Sequence, residues 1–185
     1  NLILEIKVLD KIELRKQMIK KRLDLSSEDH AAKSNLIISK LKQHPDFINA
    51  KTIGIYVSFK NEVDTISLIK EIINKKNVCV PKIDNHLMNF YLINSLDELK
   101  KSSFGILEPS NQSKIINKEN IDLLIVPMVA FDLNHNRLGY GGGYYDCYLK
   151  KYSGKVIGLA FSFQKTEALP VESFDIPIKT IIDEK

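Results

Sequence analysis

The sequence predicts a single three-layer α/β/α domain built on a mixed, mostly parallel, Rossmann-like sheet. Three observations predict it. Short apolar, β-branched runs alternate with helical patterns along the chain. The runs are continuous rather than alternating, as in strands covered by helices on both faces. No repeat or low-complexity linker divides the 185 residues, a length that suits one domain able to bury most of its unfolded surface.

The elements follow in order. Residues 1–9 carry apolar side chains without a basic flank or a full secretory core, and read as a trimmed or flexible end. A helix is expected over Lys11 to Leu25. At about 100° per residue it places Leu14, Met18 and Leu25 on one apolar stripe and Ile12, Ile19 and Leu23 on another. Glu13, Lys16, Lys20, Lys21, Asp24 and Gln17 form the opposite, solvated face. Ser26 or Ser27 caps a second helix that includes Leu36 to Gln43, and Asp64 and Thr65 cap a third over Ile66 to Lys75. Strands are expected at KTIGIYVSF from Lys51, VCVPKI from Val78, LMNFYLI from Leu87, DLLIVPMVAF from Asp122 and KVIGLAFSF from Lys155. The Val78 and Leu87 runs are close enough to form an antiparallel hairpin, which makes the sheet mixed. A short helix is expected from Tyr145 to Lys151.

The composition narrows the classes. A net charge of +4 permits anionic ligands, but no basic patch is interleaved with aromatics, so nucleic acid is not expected as a partner. No apolar run reaches the roughly 20 residues of a membrane span. Cys79 and Cys147 are too few for a disulfide framework. A soluble, cytoplasmic, monomeric enzyme is the expectation. His30, His44, His86 and His135 show no metal spacing.

Two features carry chemistry. Lys11, Arg15 and Arg22 fall between the apolar stripes of the first helix, where unpaired cations would be costly. They must face a polar cleft, with either a bound anion or protein carboxylates as partners. The second feature is the run from Arg137 to Asp146, with Gly139, Gly141, Gly142 and Gly143, which is four of the chain's 8 glycines. It lies between an expected strand and an expected helix, a setting in which exposed backbone N–H groups bind phosphate oxygens. It is neither a Walker A loop nor a dinucleotide fingerprint, because no Gly-Lys-Ser/Thr follows and Tyr144 stands where a third glycine would. Arg137 suits a phosphate and Asp146 suits Mg²⁺. On residues alone, a sugar-phosphate isomerase or an acyl-CoA transferase-like enzyme would also favour such a loop, and the basic first helix would suit a non-catalytic nucleotide- or RNA-binding module.

The block VPMVAFDLNHNRLGYGGGYYD, Val126 to Asp146, resembles the signature of the 5-formyltetrahydrofolate cyclo-ligase family. KIELR from Lys11, YVSFKNEVDT from Tyr56, FGILEP from Phe104, AFSFQ from Ala160 and LPVESFD from Leu169 match the family's pieces in the family's order. Cys147, Met128, Phe174 and Lys179 depart from its usual residues. The resemblance implies cyclisation of 5-formyltetrahydrofolate to 5,10-methenyltetrahydrofolate with ATP as co-substrate and Mg²⁺ as cofactor. It implies Lys11, Arg15 and the loop Arg137, Leu138, Gly139, Tyr140, Gly141, Gly142, Gly143, Tyr144 and Tyr145 at ATP. Val57 and Glu62 would line the folate pocket, joined by Tyr140 through Tyr144. Asp146 and Asp175 would hold Mg²⁺, with Arg137 and Tyr144 as the catalytic candidates.

Overall fold

The computed structural model describes residues 10–185, so the reading of residues 1–9 lies outside the described residues. The first helix, α1, runs Lys11–Leu23 and is capped by Asp10, whose carboxylate accepts from the Ile12 N–H. Helix α2 (Ser27–Gln43) is capped by Ser26 on the Asp29 N–H, and a short α3 spans Pro45–Asn49. Strand β1 (Thr52–Ile55) leads to α4 (Ile66–Ile72), which starts at an Asp64 carboxylate accepting from Ile66 and Ser67. The expected hairpin is β2 (Asn77–Asp84) and β3 (Leu87–Ile93). A ribbon of β4 (Lys100–Lys101) and β5 (Leu107–Glu108) precedes β6 (Ile115–Ile116) and the central β7 (Leu123–Pro127). There follow β8 (Ala130–Asp132), β9 (Arg137–Leu138), α5 (Tyr144–Leu149), β10 (Lys155–Leu159), β11 (Lys165–Thr166) and β12 (Thr180–Ile182).

The main sheet has the order β12-β10-β7-β1-β2-β3-β6. Its first five strands are parallel and its last two are antiparallel additions, so the mixed, mostly parallel α/β sheet stands as expected. The continuous apolar runs serve two cores at once. In β7, Leu123 and Ile125 join Ile37, Leu41, Phe47, Leu68 and Ile69 from α2, α3 and α4. Leu124 and Val126, one residue out of step, face Tyr148 and Leu149 of α5 on the other side. Gly54 in β1 sits beneath that second core, where a Cβ would lie 2.5 Å from Leu124 Cδ2 and 3.0 Å from the Phe90 ring. A side chain there would overpack the layer.

Three expectations change. Ile12 and Leu23 are 70% and 50% exposed, so of the second apolar stripe of α1 only Ile19 docks. Leu14 and Met18 pack on Val129, Ala130, Leu138 and Leu169, which form a small separate cluster. The strand expected over Asp122 to Phe131 breaks at Met128 and Val129, because Gln164 Nε2 takes both carbonyls, at 2.8 and 2.9 Å, out of the ladder. The chain then enters a second, three-stranded sheet of order β11-β8-β9. The strand from Lys51 ends at Ile55, because Thr65 Oγ1 bonds the Tyr56 carbonyl and turns the chain. The departing residue Met128 fits because it lies over Gly158, whose missing Cβ would collide with it.

The last strand is anchored by Glu184. Its carboxylate accepts from the Ser162 N–H at 2.7 Å, the Ser162 hydroxyl at 2.7 Å and Lys33 Nζ at 2.9 Å. Burial alone would raise this carboxyl, but the Lys33 and Ser162 bonds outweigh burial and bring it down to about 2 from 4.5. A carboxyl depressed by folding stabilises above its unfolded value and loses that contribution as pH falls through the folded one. Glu184→Gln is therefore expected to cost about 2 kcal/mol at neutral pH, allowing for the partly exposed Lys33. The melting-temperature gap from the native chain should close as pH falls from about 4.5 to about 2. A gap independent of pH would remove the charge from the explanation.

Candidate active site

Strands β1 and β7 are parallel neighbours at the centre of the sheet, and the chain leaves them in opposite directions, toward β2 and toward β10. The segments that follow their carboxyl ends therefore diverge, which marks the switch-point crevice where doubly wound sheets bind ligands. The segment from Tyr56 to Thr65 leaves β1 on one side of that crevice. On the other side, Pro127 at the end of β7 leads through β8 and β9 into the glycine run.

The β1 side is a tight loop. Ser58 and Thr65 bond each other's N–H groups, and Lys60 and Asn61 both adopt left-handed φ, 48° and 55°. Two adjacent non-glycine residues in that region store strain that neighbours must hold. Within this loop Glu62 accepts from the Phe59 N–H at 2.8 Å. Burial raises the Glu62 carboxyl, and Arg22, Tyr140 and the Phe59 N–H oppose that rise. Val57 is buried in the core below and contributes only a wall.

The glycine side is laid against α1. Arg15 Nε donates to the Gly139 carbonyl at 2.8 Å. Gly141, at φ 105°, passes beside that guanidinium, and Gly143, at φ 67°, turns into α5. Both angles belong to a region that side chains disfavour. A Cβ on Gly142 would meet the Tyr144 ring at 2.5 Å, so glycine there leaves room for the ring. The Leu138 side chain packs under α1, which leaves its backbone to the loop. Tyr145 lies beside the Arg137 guanidinium, 5.5 Å from ring to cation.

Arg137 is buried at the base of the loop. Nη1 donates to the Pro127 carbonyl at 3.2 Å and Nη2 to Asp146 at 3.1 Å. Its Nε is buried without a partner among the described residues. Asp146 accepts from the Ile176 N–H at 3.0 Å with its other oxygen, so it ties α5 to the Asp175 segment rather than capping its own helix. Asp175 accepts from Lys11 Nζ and the Glu172 N–H, each at 2.9 Å. Burial alone would raise Asp175, but these bonds lower it. Lys11 Nζ also meets Glu172 at 2.9 Å.

The sequence left the cations of α1 with two possible partners, a bound anion or protein carboxylates. In the structure Lys11 has carboxylates, Arg15 has the Gly139 carbonyl, and Arg22 has the Lys60 carbonyl and the Tyr140 hydroxyl, with no carboxylate as a direct partner. Glu172, Gln164 and Phe59 were not singled out as participants. Glu172 stood inside the LPVESFD match and could have been flagged, whereas Gln164 acts on backbone carbonyls that no side-chain pattern reveals.

Among the described residues, no group of three or more His, Cys, Asp or Glu could hold a metal ion. Asp146, bonded to Arg137, and Asp175, bonded to Lys11, nevertheless suit Mg²⁺ of the kind that takes one or two carboxylates together with phosphate oxygens and water. Asp175 Oδ2 carries both of its hydrogen bonds, which leaves its other oxygen open among the described residues. The orphaned Arg137 Nε likewise suits an incoming anionic oxygen. A separate polar cavity of about 350 Å³ lies between α2 and α4, away from these groups. No helix among the described residues is long and apolar enough to cross a membrane.

A sequence profile of the 5-formyltetrahydrofolate cyclo-ligase family matches residues 7–184. The chain is 37% identical over 141 residues to the 5-formyltetrahydrofolate cyclo-ligase of Haemophilus influenzae, covering 72% of this chain and 75% of that one. It is 30% identical over 187 residues to the mouse cyclo-ligase, covering 92% of each. The solution structure of Aquifex aeolicus 5,10-methenyltetrahydrofolate synthetase superposes with a TM-score of 0.85 at 40% identity, over 95% of this chain and 90% of that one. The synthetase from Mycoplasma pneumoniae gives 0.77 at 28% identity, over 96% and 100%.

Proposed function

The chain belongs to the 5-formyltetrahydrofolate cyclo-ligase family, and from that premise we propose that it closes 5-formyltetrahydrofolate to 5,10-methenyltetrahydrofolate at the expense of ATP. The observation that supports this reading is the bond from the Tyr140 hydroxyl to Glu62, which joins the glycine loop to the loop after β1. A backbone-rich glycine loop with a buried arginine faces a buried carboxylate across the ends of β1 and β7, so an anionic and a hydrogen-bonding substrate can meet there.

The formamide oxygen is a poor leaving group. In the proposed reaction it attacks the γ-phosphorus of ATP, ADP leaves, and N10 then attacks the activated carbon. Phosphate departs with the former formyl oxygen, and N10 loses its proton. The protein's part is to position the reactants and stabilise charge. The N–H groups of Gly139 through Gly143 line the phosphates, with Tyr144 and Tyr145 at the end of the cradle. Arg137 donates its free Nε to a phosphate oxygen as negative charge moves. Arg15 keeps the loop in shape through Gly139. Lys11 moves from Asp175 to the phosphates and so frees that carboxylate. Asp146 and Asp175 would then hold Mg²⁺, which when bound screens the phosphate oxygens. Glu62 accepts from the pterin's amino group and ring N–H, with Val57 as the wall and Tyr140 beside it.

The test is direct. The protein is mixed with 5-formyltetrahydrofolate, Mg²⁺ and ATP, and the near-ultraviolet absorbance of the methenyl product is followed. Product is expected only when both ATP and Mg²⁺ are present. Equal turnover without ATP would end the ligase reading.

A further inference from the structure

We propose that Arg22 is a positioning residue that fastens the glycine loop, through Tyr140, to the strained Lys60–Asn61 turn presenting Glu62. The inference rests on the folate reading of Glu62 given above. Arg22 lies at the end of α1, is 1% exposed, and is the largest fully buried side chain among the described residues. A guanidinium is not kept there by packing alone, since burying a charge requires good partners. Its partners are not a carboxylate. Nε donates to the Lys60 carbonyl at 2.9 Å, and Nη2 donates to the Tyr140 hydroxyl. That same hydroxyl donates to Glu62 Oε1 at 2.8 Å, and the guanidinium lies 5.6 Å from the centre of the Tyr140 ring.

The chain of contacts joins three segments distant in sequence. Asn61 Nδ2 returns a bond to the Arg22 carbonyl at 3.3 Å, so the turn is gripped from both sides. Lys60 and Asn61 hold left-handed φ without glycine, and the grip on the Lys60 carbonyl keeps that conformation in place. The hydroxyl of Tyr140 can donate only one proton. While Glu62 takes it, Arg22 supplies the donor to the hydroxyl's lone pair, which fixes both the rotor and the carboxylate. Lysine could provide the charge but not the fork that spans Lys60 and Tyr140. Arg22 therefore acts on folate through Glu62, whereas Lys11 and Arg15, earlier on the same helix, act at the nucleotide.

The test measures folate binding without ATP by titration calorimetry, alongside KM for each substrate and kcat, in Arg22→Lys, Arg22→Met and Tyr140→Phe. The Arg22 variants should weaken 5-formyltetrahydrofolate binding roughly ten- to a hundredfold, with KM for ATP changing less than about threefold. Because Arg22 works through Tyr140, Arg22→Met and Tyr140→Phe should be strongly non-additive on folate affinity. Additive effects would overturn the proposal. So would a folded Arg22→Lys protein with native folate affinity, and so would the failure of both Arg22 variants to fold, which would give the residue a purely structural role. A native chain that neither binds nor cyclises 5-formyltetrahydrofolate would end the folate reading as well, whereas unaffected Arg22 variants in an active chain would end only this one.

Discussion

Arg137→Met is expected to lower kcat/KM for 5-formyltetrahydrofolate by about a thousandfold, the size of effect seen when a transition-state guanidinium is lost in phosphoryl transfer. Arg137 is the residue whose two demands can be separated. Its structural demand is the bond to the Pro127 carbonyl and the pair with Asp146. Breaking a buried pair by removing one partner costs about 3–5 kcal/mol, so the methionine variant should also melt earlier. Arg137→Lys keeps a cation beside Asp146 but cannot reach Pro127, Asp146 and a third oxygen together. It should restore much of the stability while leaving activity about a hundredfold below native. Kinetics are read well below each melting temperature. If the lysine variant is within tenfold of native, Arg137 is an architectural partner of Asp146 and the phosphate role falls.

Asp146→Asn is the second large effect expected. Asparagine can still accept from the Ile176 N–H but turns a neutral amide toward Arg137. Loss of the charged hydrogen bond should cost roughly 1.5–3 kcal/mol of stability. If Asp146 also binds Mg²⁺, the concentration of metal needed for half-maximal turnover should rise at least about tenfold, with maximal turnover depressed. Added Mg²⁺ restoring part of the rate would separate a weakened metal site from a broken fold. An unchanged Mg²⁺ dependence would leave the aspartate as Arg137's partner alone and pass the metal to other ligands. Asp175→Asn offers the contrast, since Asp175 is paired with Lys11 rather than Arg137.

How much of this was legible depends on the kind of information each feature needs. The two-sided burial of β7 is written in its unbroken apolar run, because Leu123 to Pro127 must satisfy a core on either face. The caps at Ser26 and Asp64 are local and were readable for the same reason. The break after Pro127 was not, since it depends on Gln164 arriving from thirty-six residues away. The same limit applied at the site. Cations inside the apolar arc of α1 announced a polar cleft, yet the pattern could not tell that Lys11 would meet two carboxylates and Arg22 a phenol and a carbonyl. Nor could it tell which half of α1 docks. Ile12 and Leu23 stay in solvent because the small sheet offers α1 only one narrow apolar face, made from Val129, Ala130, Leu138 and Leu169.

The order of strands also bears on the chain as it is made. β1 lies at the centre of the sheet, yet one of its two neighbours is encoded seventy residues later, as the bond from the Thr52 N–H to Asp122 marks. During synthesis at about 5–20 residues per second, β1 can pair with the β2–β3 hairpin for several seconds while its other edge stays open. Such an open edge in an apolar strand is a template for wrong partners. The nascent chain thus passes through an interval in which a central strand of the finished sheet is its most adhesive one. Slow codons between residues 80 and 120 would lengthen that interval, and an early holdase would protect it.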